Sequence, residues 1–257
     1  METSIEYLRK TMPDLNQALV CPSELDTRTP EEIRTDNWLK KRAGRITASI
    51  IKDLMTKGRG KETFGQTAIK AMQFIKYERR TGIARENKTN RNFKHGHEFE
   101  PEALKWYADD ASHAFYGYEI KSCATDFPEI VFQTPFAGFG DSPDFFVYHG
   151  PLLVGVGEIK CPVDQSKIEN LWEFKKIDSD SEYYYQILGH FLGTPDAEWC
   201  DLIIYDAFAK QGKIFTITRS EVEHELQPLQ NRLQTISMAI DHCIEKGYTL
   251  SEYFQNL

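Results

Sequence analysis

Apolar positions recur at helical spacing along some stretches of the chain and run together as short β-type segments along others. Ile5, Leu8, Leu15, Ala18 and Leu19 mark a short N-terminal helix, and a Pro/Thr-rich connection follows as far as Pro30. Residues 31–54 read as helical pieces, with Thr47 or Ser49 placed to cap the second through a hydroxyl that accepts an orphan N–H. Phe64, Ala68, Met72 and Ile75 predict a helix over 64–81, and residues 82–93 read as a polar loop. A further helix is expected over 98–109, starting near His97, because Pro101 is best accommodated in a first turn. Short β-rich runs follow at 115–120, 130–133 and 145–148, separated by Pro and Gly turns. Residues 152–159 are nearly all apolar and predict a central strand. Helices over 166–177 and 181–192 precede strands at 200–205 and 213–218, joined by a hairpin connection over 207–212. Leu226, Leu229, Leu233, Ile236, Ile240 and Ile244 then lay one apolar stripe along a long helix over 221–246. This order predicts one α/β domain over 1–257: a mixed central sheet flanked by helices, with a helical extension at 1–30 and a C-terminal helix at 220–247.

Length and composition narrow the class. The chain has 257 residues, 40% hydrophobic and 27% charged, enough for one large core and unlike a disordered chain or a disulfide miniprotein. No apolar run reaches the length of a membrane span, and the first residues lack the apolar stretch of a signal peptide. Five cysteines, an odd number, widely spread and without C-x-x-C, argue for a reducing cytoplasm and against a cysteine-built metal site.

Charge is unevenly distributed. From Lys40 to Lys94 there are sixteen Lys and Arg against four Asp and Glu, a net of +12; with a total of −8, the remainder of the chain carries −20. A strongly positive surface on an acidic body attracts polyanions, nucleic acid above all. A basic hairpin whose charges are merely solvated would give the same count. The loop Lys57-Gly-Arg59-Gly-Lys61 lies inside this window and suits DNA backbone contact without sequence reading.

The most informative chemistry is Ser142-Pro-Asp144, followed by Gly157-Glu158-Ile159-Lys160-Cys161-Pro162. Strand period two points Glu158 and Lys160 to one face and the Ile159 side chain to the other, leaving the Ile159 carbonyl near any cation held there. If the two strands pair as a hairpin, Asp144 arrives beside Glu158. Two carboxylates and a lysine between apolar strands are costly to bury, and a hard divalent cation such as Mg²⁺ would neutralise them. Lys160 would then orient a water, help deprotonate it, or stabilise charge on a phosphate. A surface Glu158–Lys160 ion pair beside an unrelated Asp turn fits the same letters. A third acid, Glu100, shares a helix face with Ala103, Leu104 and Tyr107 and so turns inward, whereas Glu98 and Glu102 are expected outside. Charge at a helix N-terminus is its plainer explanation. His95 and His97 flank this acid, but hard-metal sites favour oxygen.

Taken in order, Trp38-Leu-Lys-Lys-Arg42-Ala-Gly-Arg45-Ile-Thr-Ala-Ser49, Gly96-His-Glu-Phe-Glu100, S-P-D at Asp144, E-I-K-C-P at 158–162 and Tyr183-Tyr-Tyr-Gln186 resemble the bacteriophage lambda exonuclease (YqaJ-like viral recombinase) group of the PD-(D/E)xK nuclease superfamily. The resemblance spans about residues 36–208. It implies a restriction-endonuclease-like core and Mg²⁺-dependent 5′→3′ degradation of one strand of duplex DNA, leaving 3′ overhangs, with Mn²⁺ able to substitute. It also implies a ring-shaped homo-oligomer, often a trimer, acting beside a single-strand annealing protein. Asp144, Glu158 and Glu100 match the metal-binding acids, with the Ile159 carbonyl beside them, and Lys160 the catalytic lysine. Arg42 and Ser49 match 5′-phosphate-binding positions, and Gln186 a glutamine on the helix after the E-x-K strand. Arg45 departs from the apolar residue expected there and suggests an added phosphate contact. Tyr183 and Gln186, three apart, reach the same wall of the site. An endonuclease on the same core, and a non-catalytic DNA-end-binding recombination protein, are the alternatives.

Overall fold

A computed structural model describes residues 28–59, 63–84, 91–110, 113, 116–126 and 135–255. The chain divides into two units, Met1–Asn37 and Trp38–Leu257. The expected helix around Ile5–Leu19 lies outside the described residues, as do Lys61 and the expected strand at 130–133. In the first unit the described residues open helix α1 (Pro30–Arg42), which continues into the second. Its start is closed reciprocally: the Thr29 N–H donates to Glu32 Oε2 (2.6 Å) and the Glu32 N–H to Thr29 Oγ1 (3.2 Å).

In the second unit a two-residue strand β1 (Ile46–Thr47) leads through a 3₁₀ turn (Ala48–Ile50) into the short helix α2 (Ile51–Leu54) and then α3 (Gln66–Thr81) and α4 (Arg91–Ala108). There follow β2 (Tyr118–Ser122), β3 (Phe139–Gly140), β4 (Phe145–His149), β5 (Leu152–Lys160), α5 (Gln165–Glu173), α6 (Tyr184–Gly193), β6 (Trp199–Asp206), β7 (Gln211–Thr218), α7 (Arg219–Lys246) and α8 (Leu250–Gln255). The main sheet runs β2-β4-β5-β6-β7, with β5 and β6 parallel and every other pair antiparallel. The apolar run that predicted a central strand, β5, occupies the middle position. A separate parallel pair joins β1 to β3.

Side-chain alternation divides the core into two layers, one on each face of the sheet. Cys200, Leu202 and Ile204 of β6 join a large cluster with Met72 and Ile75 of α3, Ile187 and Phe191 of α6, and Leu229, Leu233 and Ile240 of α7. Ile203 and Tyr205, of opposite parity, join a smaller cluster with Phe145, Val147, Ile159 and the Ala103 and Tyr107 face of α4. Gly157 of β5 is required by close packing, because a Cβ there would lie 1.9 Å from the Phe145 ring. Within the smaller layer the buried Asp201 carboxylate accepts from Tyr107 (2.6 Å), Trp199 (3.2 Å) and Thr216 (2.5 Å), so its polar atoms are satisfied. No helix among the described residues is long and apolar enough to cross a membrane.

Several local expectations need correction. Helix α4 begins at Arg91, not near His97, and runs through Pro101. The proline forfeits its own N–H bond to the preceding turn, while Phe99 in that turn packs on His95 (4.6 Å between centroids), which also stacks on Phe208 (5.8 Å). Tertiary contact thus holds a turn that local propensity leaves open. The strand expected at 115–120 is displaced to Tyr118–Ser122, after a turn at Gly117. Helices expected to reach Ile177 and to begin at Ser181 are shorter, ending at Glu173 and starting at Tyr184. Neither Thr47 nor Ser49 caps the following turn; their hydroxyls face Arg42 instead. The β1–β3 pair and α8 carry no signal in the apolar pattern.

Candidate active site

Pairing between β4 and β5 sets the centre of the site. Phe145 lies opposite Gly157, so Asp144, one residue outside β4, comes level with Glu158. The Asp144 N–H donates to the Gly157 carbonyl (3.0 Å), and the Ile159 N–H donates to Asp144 Oδ2 (2.7 Å). Backbone pairing therefore fixes the aspartate. The Ile159 side chain is buried in the smaller core layer, as period two requires. On the opposite face Lys160 Nζ donates to Glu158 Oε1, and the ammonium lies 5.7 Å from the centroid of the Tyr183 ring. Tyr183 also faces Lys167 (5.5 Å) and stands at the start of α6, on which half-buried Gln186 lies three residues on.

Helix α6 supplies a residue that the sequence reading missed. His190, four residues beyond Gln186 and seven beyond Tyr183, has no exposed surface. Its Nε2–H donates to Glu158 Oε2 (3.0 Å) and its Nδ1–H to Oδ1 of buried Asp141 (2.8 Å). Helical spacing from Tyr183 and Gln186 was the available signal for His190. Asp141, three residues before Asp144 in the irregular segment after β3, had none.

The electrostatics follow from this packing. Burial pushes the Asp144 carboxyl well above its usual range, and the Glu158 and Glu100 charges add to that; Lys160 and the Ile159 N–H only partly oppose them. Glu100 is raised by burial and then by Glu158, against His97 and Lys160. Burial alone would raise Glu158 too, but Lys160 and His190 outweigh it and hold this carboxyl down at about 2. Burial would lower His190, yet the Asp141 and Glu158 carboxylates that flank its two ring nitrogens raise it to about 10. The nearby Cys161 thiol is pushed up to about 12 by burial and the acids Glu100 and Asp144. Glu100, half-buried on α4, thus shares one electrostatic environment with Asp144, Glu158 and Lys160. Glu98 is exposed, while Glu102 accepts from the Tyr205 hydroxyl (3.0 Å).

This donor set suits a hard divalent cation. The Glu158 charge raises the proton affinity of both Glu100 and Asp144, and Glu100 raises that of Asp144 as well, so negative charge gathers there beyond what Lys160 offsets. Both Glu158 oxygens already have partners, and among the described residues no three His, Cys, Asp or Glu side chains stand ready around one point.

A second group forms around Arg42. Its guanidinium donates to Thr47 Oγ1 (3.2 Å) and Ser49 Oγ (3.1 Å) and lies 4.3 Å from the centroid of the Trp38 ring. Trp38 Nε1 in turn donates to Ser142 Oγ (3.1 Å), two residues before Asp144, which ties the arginine group to the acidic turn. Arg45 is directed elsewhere: its guanidinium donates to the carbonyls of Lys41 (3.0 Å) and Phe139 (2.9 Å), bracing β3. Lys57 and Arg59 are exposed on their loop.

Comparison with known proteins agrees with this architecture. The fold matches an alkaline exonuclease (LHK-Exo) from Laribacter hongkongensis with a TM-score of 0.64 and 25% identity, covering 81% of this chain and 94% of that chain. It also matches a phage-related exonuclease from Haemophilus somnus 129PT with a TM-score of 0.52 over 81% of this chain and 99% of that one; at 14% identity this likeness concerns the fold alone. The mixed sheet flanked by helices is accordingly a restriction-endonuclease-like core. No curated protein matches the chain significantly by sequence. The profile of the YqaJ-like viral recombinase domain matches residues 37–194, a span that holds Arg42, Glu100, Asp144, Glu158, Lys160 and His190, and the chain belongs to that family.

Proposed function

We propose that this protein is a divalent-metal-dependent exonuclease that degrades one strand of duplex DNA in the 5′→3′ direction and leaves 3′ single-stranded overhangs for recombination by strand annealing. One observation carries the reading: Asp144, at the head of β4, is set level with Glu158 on β5, Lys160 bonds Glu158, and Glu100 lies within their electrostatic reach. The family and the likeness to an alkaline exonuclease support it.

Asp144, Glu158, Glu100 and the Ile159 carbonyl would hold Mg²⁺, or Mn²⁺ in its place. When bound, the cation neutralises phosphate charge and makes a coordinated water more acidic. Lys160, released from Glu158, orients the attacking water or stabilises the charge that grows on the phosphate. Arg42 offers a planar fork to a terminal 5′-phosphate, with the Thr47 and Ser49 hydroxyls already on the same guanidinium. Tyr183 and Gln186 form a wall beside Lys160. Lys57, Arg59 and Lys61 contact DNA backbone without selecting sequence. A ring-shaped homo-oligomer, such as a trimer, working with a single-strand annealing protein in the cytoplasm belongs to the same reading.

The test is digestion of 5′-phosphorylated linear duplex and of covalently closed plasmid with Mg²⁺. Mononucleotides should leave the 5′-terminated strands while closed plasmid stays intact. Lys160→Ala protein should bind ends without cutting them. Linearised plasmid, or full activity in that variant, overturns the reading.

A further inference from the structure

Glu158 is gripped at both oxygens, and the two grips differ in kind. Lys160, at Oε1, has a side chain 28% exposed on a flexible stem. His190, at Oε2, has no exposure and is fixed from behind by Asp141, 3% exposed at its side chain. We propose that His190 and Asp141 are a buried positioning pair that clamps Glu158 through Oε2 and leaves Oε1 as the oxygen offered to the cation and to Lys160. This rests on the nuclease reading above.

Three observations argue that the pair is kept for the site and not for stability. Buried charge is a poor stabiliser, since well-packed apolar groups of similar volume often do as well or better. The surrounding face of α6 shows that such packing is at hand, because Ile187, Leu188, Phe191 and Leu192 are all buried. Among the described residues Asp141 Oδ2 is buried with no hydrogen-bond partner, a cost the fold bears while Oδ1 holds the ring. Room for that carboxylate is left by Gly193, where a Cβ would stand 2.3 Å from Asp141 Cβ and 2.6 Å from Oδ2. Carboxylates that bind a cation are commonly fixed by hydrogen bonds from groups outside the ligand shell, and His190 with Asp141 behind it stands in that place toward Glu158.

Full-length His190→Ala, His190→Gln, Asp141→Ala and the His190→Ala/Asp141→Ala double variant test this. Each is checked for folding by circular dichroism, then titrated with Mn²⁺ by electron paramagnetic resonance without DNA, and assayed on duplex ends with Mg²⁺. His190→Ala should weaken Mn²⁺ binding about 10- to 100-fold and slow hydrolysis by a similar factor. His190→Gln, whose amide can still donate to Glu158, should recover part of both. Asp141→Ala should lose less, and should add nothing to His190→Ala, since it acts only through the ring. Mn²⁺ affinity within twofold of the unaltered protein in folded His190→Ala, or additive losses in the double variant, overturns the pair. Should His190→Ala not fold, unaltered Mn²⁺ affinity in Asp141→Ala overturns it by itself. If the unaltered protein binds Mn²⁺ but cuts no DNA, the nuclease reading fails while the Mn²⁺ series still decides the clamp; if it binds no Mn²⁺, both fail.

Discussion

Asp144, just ahead of β4, Glu158 on β5 and His190 on α6 come from separate parts of the chain, and Glu158 and His190 are almost wholly withdrawn from water; Arg42, Thr47 and Ser49 come from one stretch of eight residues, of which Thr47 is buried, Arg42 half-buried and Ser49 exposed. The acidic group is held by backbone pairing and by a buried chain of charged hydrogen bonds. The arginine group is held by neighbours along its own segment, with Trp38 as the link to Ser142. A long-range, desolvated arrangement is expensive to build and unforgiving of displacement. A local, wetter one adjusts at little cost, which on the proposed function would suit a mobile strand end.

Three substitutions bear on that contrast. The largest effect is expected at Lys160→Ala, with hydrolysis down on the order of 10³-fold and end binding, measured by gel shift, largely kept; equal losses of both would place Lys160 on the DNA-holding side instead. Next is Gly157→Ala. Its new methyl would meet the Phe145 ring beneath the acids, and overpacking of this kind should cost about 3 kcal/mol in urea denaturation. A loss below about 1 kcal/mol would mean that this layer yields more than its packing suggests. The smallest is Arg42→Ala. It should reduce the preference for 5′-phosphorylated over 5′-hydroxyl ends about tenfold, the effect of roughly 1.4 kcal/mol of binding, and cost only about 1 kcal/mol of stability. Unchanged end preference would remove Arg42 from phosphate recognition.

The same contrast explains what could be read from the letters. The S-P-D and E-I-K runs disclosed their pairing because a strand period of two and a short hairpin leave few registers, and β5 and α7 announced themselves through long apolar patterns. Arg42 and Ser49 were visible as a contiguous motif, although their contact with each other, in place of a helix cap, was not. His190 had only its helical spacing from Tyr183 and Gln186 to mark it among apolar neighbours, and Asp141 lies in an irregular segment where an aspartate is common. Their meaning arises only when α6 docks against β5. Pro101 inside α4 and the two-residue β1–β3 pair were hidden for a similar reason: contacts from distant segments outweigh the local preference.

The step in register between Val147 and Tyr148 lies between the Gly150 turn and the acid pair. Beyond it, towards Asp144, the two strands run in strict correspondence. The irregularity works as an expansion joint: slack or crowding at the hairpin tip is absorbed before it reaches the carboxylates. The spacing of Asp144 from Glu158 is thereby referenced to the interior of the sheet, and the exposed bend is at liberty to vary in length and composition.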